Sequence, residues 1–179
     1  MSDFGKVLAC LKGLGMRSPS TDNFEDKLII QKAVYLLQLK GVKTGFGFNL
    51  YVRGPYSPAL TVELYQHKRE LRVLETTSRL SERETGAVQE LHELMGLKPS
   101  LLEVAATYAY FAFEQGKDPL TATKGVRAIK GFYPETQIAL GISHAKKFLY
   151  QPTEGDIEEM KREHEALERA SLYDWANFD

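Results

Sequence analysis

The sequence predicts a mainly α protein, a compact helical domain built around one central buried helix with a small two-stranded antiparallel hairpin. Three observations lead there. Helix-start signals recur along the chain, with a capping side chain or proline opening a helix at Ser57-Pro58, Asp118-Pro119 and Pro134-Glu135. Residues 101 to 115 are apolar nearly all round, which suits a helix enclosed by others. Only one stretch, Phe46 to Arg53, alternates apolar and polar residues with the period of a half-buried strand.

In chain order, residues 3 to 14 read as a short helix with Phe4, Val7, Leu8 and Leu11 on one side, stopped by Gly13 and Gly15. After a polar loop, Asp22 or Asn23 caps a second helix running to about Lys40, with Gly41 as its stop. The strand follows, with Phe46, Phe48, Leu50 and Val52 inward. Its expected partner is Leu71 to Thr77, where Val73, Thr76 and Thr77 favour extended backbone, so the helix from Pro58 would lie between the two arms. With helices around it, such a hairpin can also be read as winged-helix-like. Ser81 and Glu84 have the spacing of a capping box for a helix ending at Gly96. Helices 101 to 115, 119 to 130 and 135 to 149 complete a domain spanning residues 1 to 150. Residues 151 to 179 read as an acidic helix and an aromatic tail packing on that domain. Ile157, Met160, His164 and Leu167 form a narrow apolar seam, and Leu172 to Phe178 carry the only tryptophan.

At 179 residues, 43% apolar and 26% charged, the chain has the composition of one ordinary globular domain with a core. No run approaches the length of a membrane span, and the N-terminus lacks the layout of a secretory signal, so no membrane is implied and the cytoplasm is the expected location. Cys10 stands alone, which excludes an intrachain disulfide, and it reads as a small apolar residue on a buried helix face. The net charge of −1 argues against coating nucleic acid by bulk charge. Charge is unevenly spread, however. Residues 17 to 72 hold nine basic and five acidic residues, and residues 154 to 179 hold nine acidic and three basic ones.

No catalytic pattern emerges. His67, His92, His144 and His164 fall singly on different helices, without metal-ligand spacing. The stretch Gly45-Phe46-Gly47 enters a strand instead of leaving one and lacks the third glycine of a dinucleotide-binding loop. No serine sits in a nucleophile elbow, and no cofactor is implied. An enzyme would need a site assembled from distant residues.

The segment Tyr51 to Pro58 stands out instead. Gly54-Pro55 makes a sharp turn at the strand end and Ser57-Pro58 starts a helix at once, aiming Arg53, Tyr56 and helix-start N–H groups in one direction. That arrangement can hold an anionic group or an acidic peptide. The plainer alternative is turn chemistry, with Tyr56 on the core and Arg53 solvated. On the preceding helix Lys32 and Tyr35 share a face, with Lys27 and Gln31 on a neighbouring one. A basic and aromatic face beside the turn suits an acidic protein surface or nucleic acid, and an ordinary amphipathic boundary is the bland alternative.

Lys27 to Leu37, followed by a strand ending in Arg53-Gly54-Pro55-Tyr56-Ser57 and a new helix, resembles the Panacea (SocA-like) antitoxin domain and the related YwgA-like proteins. Leu101 to Tyr110 and the helix after Pro134 are similar to the C-terminal half of the YwgA-like group, so the resemblance covers about residues 24 to 150. It implies a compact helical fold with a small sheet, no known catalytic residues and, in the antitoxin branch, neutralisation of a toxin by direct protein contact. Tyr56 follows the YwgA-like branch, where the antitoxin branch tends to an aliphatic residue. The positions that match are Lys32, Tyr35, Arg53, Gly54, Pro55 and Tyr56. The first expectation is therefore a non-enzymatic protein-binding regulator, antitoxin-like, contacting its partner through Lys32, Tyr35 and residues Arg53 to Ser57. The alternative is a winged-helix-like DNA-binding regulator, which would show strong salt dependence.

Overall fold

A computed structural model describes residues 2–150 together with 158, 161 and 162. The chain divides into two units, Met1–Leu149 and Tyr150–Asp179, each considered by itself. The first contains helices α1 (Phe4–Gly13), α2 (Phe24–Leu39), α3 (Pro58–Gln66), α4 (Lys68–Val73), α5 (Glu82–Met95), α6 (Pro99–Ala109), α7 (Pro119–Lys130) and α8 (Glu135–Leu149), and strands β1 (Asn49–Tyr51) and β2 (Gly54–Tyr56). In the second, Glu158, Lys161 and Arg162 are helical and exposed, with Arg162 Nη2 3.6 Å from Glu158 Oε2. The seam from Ile157 to Leu167 and the aromatic tail expected from the sequence lie outside the described residues.

The architecture follows from local chemistry. Asn23 accepts from the amides of Glu25 and Asp26 at the start of α2, and Ser81 and Glu84 close the capping box of α5. Asp118 caps α7 ahead of Pro119, and Ser57 caps α3 ahead of Pro58. Helix α6 is the centre, buried from Leu101 to Ala109, and it packs chiefly against α8 and α2. Its continuation, Tyr110–Glu114, widens into a π-helical turn that the periodicity did not signal. Cys10 is fully buried in the core, and burial pushes its thiol up to about 12. No helix among the described residues is long and apolar enough to cross a membrane.

The hairpin differs from the expected one. Strand β1 pairs antiparallel with β2, Tyr51 opposite Gly54, across a two-residue turn at Val52-Arg53. Leu71 to Val73 instead belong to α4, which places Leu71 and Leu74 in the core, and Thr76 bonds from its hydroxyl to the Gly5 carbonyl. The strand preference of Val73, Thr76 and Thr77 was a local tendency. The nearer pairing wins because its loop is far shorter and Gly54 supplies a φ of 88°, a left-handed conformation that glycine adopts without strain. Gly54 also lies against α6, where an added Cβ would sit 2.5 Å from Thr107 Oγ1. Inward alternation holds for Phe46, Phe48 and Leu50 and ends at Val52, which the turn leaves 90% exposed.

Candidate functional site

The hairpin is held from beneath by buried charge. Two lysines reach up to its backbone carbonyls: Lys32 Nζ of α2 donates to Pro55 O at 2.6 Å, and Lys130 Nζ at the end of α7 donates to Val52 O at 3.1 Å. Lys130 also pairs at 2.6 Å with Glu103 of α6, both side chains fully buried. The Tyr133 hydroxyl donates to Glu103 at 3.1 Å, and Arg53 Nη1 lies 3.6 Å from the same carboxylate oxygen. One buried carboxylate thus has Lys130 and Arg53 about it, and Lys32 nearby. Burial lowers the Lys32 pKa to about 8; Glu103 opposes that shift, and Lys130 and Arg53 add to it.

A second network fastens the start of α3. The Gln31 side chain accepts from the Ser57 amide at 2.8 Å and donates to Ser57 O and to Thr61 Oγ1, both at 3.0 Å. Thr61 Oγ1 in turn donates to the Tyr56 hydroxyl at 2.7 Å.

Above these networks opens a cleft of about 470 Å³ between α2, the hairpin and α3. Its walls are Phe24, Lys27, Leu28, Gln31 and Lys32 of α2, residues Tyr51 to Gly54 and Tyr56 of the hairpin, and Thr61 and Tyr65 of α3. Large apolar side chains are exposed around Arg53: Phe24 by 57% and Val52 by 90% in the cleft wall, and Phe132 by 61% on the other side of the arginine, outside that wall. Arg53 projects between two of them, its guanidinium 5.8 Å from the Phe24 ring centre and 5.5 Å from that of Phe132.

The residues singled out in the sequence converge here, though not all as a surface. Arg53 is half exposed and Tyr56 partly so, both in the cleft wall. Gly54, Pro55 and Ser57 are buried and act as scaffold. Lys32 and Tyr35 do not form an exposed face, being only 2% and 1% accessible. Tyr35 packs on Phe48 and Tyr110, and burial raises its pKa. The reason is that α2 is buried on nearly its whole circumference from Leu28 to Leu37, so residues three apart share a face that lies inside the protein. Nor are most of the helix-start N–H groups open, since those of Ser57 and Leu60 bond to Gln31 and to the Ser57 hydroxyl and that of Thr61 bonds to Ser57 O.

Sequence reasoning missed Glu103, Lys130, Phe24 and Phe132. For Glu103 a signal existed: one carboxylate inside a helix otherwise apolar all round must find buried cations or not be there. Lys130 looked like any basic residue in a last helical turn. Among the described residues no group of three or more histidine, cysteine, aspartate or glutamate side chains is placed to hold a metal ion. In comparison with family models, curated proteins and solved structures, the chain finds no match.

Proposed function

We propose that the protein is a non-enzymatic protein-binding regulator that contacts its partner through the mouth of this cleft. The observation that carries the reading is the rim of Phe24, Val52 and Phe132 around Arg53, exposed apolar side chains from α2, the hairpin and the segment after α7 gathered about one arginine whose hairpin is anchored by a buried ion pair. Clustered exposed apolar side chains mark interaction surfaces, and aromatic residues with arginine are the types that anchor protein contacts. A rigid platform lowers the ordering cost of binding. The resemblance of residues 27–37 and 53–57 to antitoxin-like domains supports neutralisation of a partner protein as the form the regulation takes. A duplex-DNA reading gains less support, because the hairpin tip carries the apolar Val52 and a single arginine where a wing tracking phosphates would be basic.

The test is reconstitution with a purified partner, beginning with the product of any reading frame adjacent to this one. Val52→Asp and Phe132→Ala are expected to weaken binding by tenfold or more, and Val73→Ser, an exposed change on α4, to leave it unaltered. Equal binding by all variants, or binding of duplex DNA alone with steep salt dependence, would overturn the reading.

A further inference from the structure

The cleft has an unusual balance of spare hydrogen-bonding capacity. Its neutral acceptors are already engaged: the Gln31 carbonyl oxygen takes the Ser57 amide, and Thr61 Oγ1 takes Gln31 Nε2 and passes its own hydrogen to Tyr56. The larger surplus is in donors, most of them charged. The Tyr56 hydroxyl accepts from Thr61, which leaves its hydrogen to point elsewhere. Lys32 spends one of three N–H groups on Pro55, Lys27 spends one on Tyr65 at 3.4 Å, and the Arg53 guanidinium, with five N–H donors, meets Glu103 at 3.6 Å and the Tyr133 hydroxyl. Three cations line the cleft and no carboxylate does, with Phe24, Tyr51, Tyr56 and Tyr65 as its aromatic walls.

A group that only accepts hydrogen bonds, carries negative charge and is attached to an apolar body satisfies this lining. We propose, building on the protein-binding reading, that the cleft receives an aspartate or glutamate side chain of the partner. Its carboxylate meets Lys32, Arg53 and Tyr56, and an adjoining aromatic or large aliphatic residue packs between Phe24 and Tyr65. A phosphate fits less well. Sites for dianionic phosphates use several backbone N–H groups at a helix start, and here those of Ser57, Leu60 and Thr61 are engaged and Pro58 has none, so a phosphate would meet Ala59 alone.

The experiment selects binders from a random heptapeptide display library on the purified full chain at low salt. Selected peptides are expected to share an acidic residue next to an aromatic or large aliphatic one. The best of them, synthesised, is expected to lose at least tenfold in affinity when its acid is changed to the amide. It should lose a similar factor against Arg53→Gln and Lys32→Met, and less against Tyr56→Phe. Arg53→Gln and Tyr56→Phe keep the measurement decisive if Lys32→Met folds poorly. Selection of peptides without an acid, no enrichment at all, or insensitivity to the Arg53 and Tyr56 changes would overturn the proposal. So would tenfold tighter binding of a phosphoserine peptide than of its aspartate counterpart. Should a partner protein bind through Val52 and Phe132 yet ignore Arg53→Gln and Tyr56→Phe, the carboxylate pocket fails while the protein-binding reading stands.

Discussion

Helix α6 meets its neighbours in two different ways. Toward α8 the tightest contact is steric: Gly141 comes so near Val104 that an added Cβ would lie 2.6 Å from Val104 Cγ1. Toward the hairpin the contact is ionic, with Glu103 binding Lys130 and Tyr133 and drawing Arg53 close. The first contact rests on close packing alone at Gly141; the second adds to the close approach of Gly54 to Thr107 a buried Glu103–Lys130 pair, with Tyr133 and the half-exposed Arg53 at its edge. Close packing builds a core, whereas a buried charge network fixes the position of one small element against it. That element carries Val52 and Arg53, the part of the rim that the network positions.

The largest effect is expected where the ionic side is broken. Glu103→Gln leaves Lys130, Lys32 and Arg53 with no carboxylate among them, and loss of one member of a buried pair costs about 3–5 kcal/mol. Denaturant midpoints with the slope held constant give the value. Glu103→Leu with Lys130→Met in the same chain is expected to recover most of it, since an apolar replacement of a whole buried pair is often neutral. Partner binding should nevertheless fall, because Val52 O loses its anchor. Recovery of stability together with full binding would show that the network does not position the hairpin.

On the steric side, Gly141→Ala is expected to cost about 1–3 kcal/mol, the ordinary penalty of overpacking, because Val104 is β-branched and cannot swing away. Binding at the cleft should be unchanged once the protein is folded. If Gly141→Ala instead altered binding as strongly as the Glu103 change does, the two sides of α6 would not be separable in the way the contacts suggest.

The same contrast explains what could be read from the sequence. Steric packing writes itself into periodicity and punctuation, so a cap at Asp22 or Asn23, the caps at Ser57, Ser81 and Asp118, the central position of α6 and the limits of α7 and α8 were all legible. Ionic pairing does not, because Glu103 and Lys130 are 27 residues apart and only the tertiary fold brings them together. The failure at Lys32 has a related cause. A lysine three positions from a tyrosine on a helix usually marks an exposed boundary, and here it marks a buried post beneath Pro55. The pairing error at residues 71–77 came from trusting β-propensity over loop length.

Lys32 tests the ionic side from a different direction. With its pKa lowered to about 8 from 10.5, the folded protein holds this proton less tightly than the unfolded chain. The destabilising contribution is therefore full below pH 8 and is relieved as pH rises from 8 to 10.5. The groups facing Lys32 are Glu103 from α6, Lys130 from α7 and Arg53 from the hairpin, and Lys32→Met leaves all of them in place. Near pH 7 the variant should be within about 1 kcal/mol of the parent, the lost bond to Pro55 O offsetting the lost desolvation cost. The parent should then gain about 2 kcal/mol on the variant between pH 8 and 10.5. Chemical denaturation across that range reads the difference, and a flat difference would mean that Lys32 is not held in a charge-averse environment.

The smallest effect belongs to a pair far from the hairpin. Glu84 accepts from Lys6 Nζ at 2.8 Å and from the amides of Ser81 and Lys43, joining α1 to the start of α5. Its partial burial pushes the carboxyl upward, but the hydrogen bonds from Lys6, Ser81 and Lys43 outweigh that and hold it at about 2, below the usual 4.5. A depressed carboxyl stabilises the fold above its unfolded value, so this contribution is intact at neutral pH and is lost as pH falls from 4.5 toward 2. Glu84→Gln retains the capping geometry and removes the charge, and it should cost about 1 kcal/mol at pH 7. The difference from the parent should shrink toward zero near pH 2. Lys32 and Glu84 thus titrate in opposite windows because they solve opposite problems: Glu84 sits near the surface, its side chain 12% exposed, with a cation to welcome its charge, and Lys32 lies in an interior where one carboxylate must serve three cations. Thermal unfolding of both variants over the full pH range would reverse that assignment if the Glu84 difference persisted at pH 2 while the Lys32 difference stayed flat through pH 10.5.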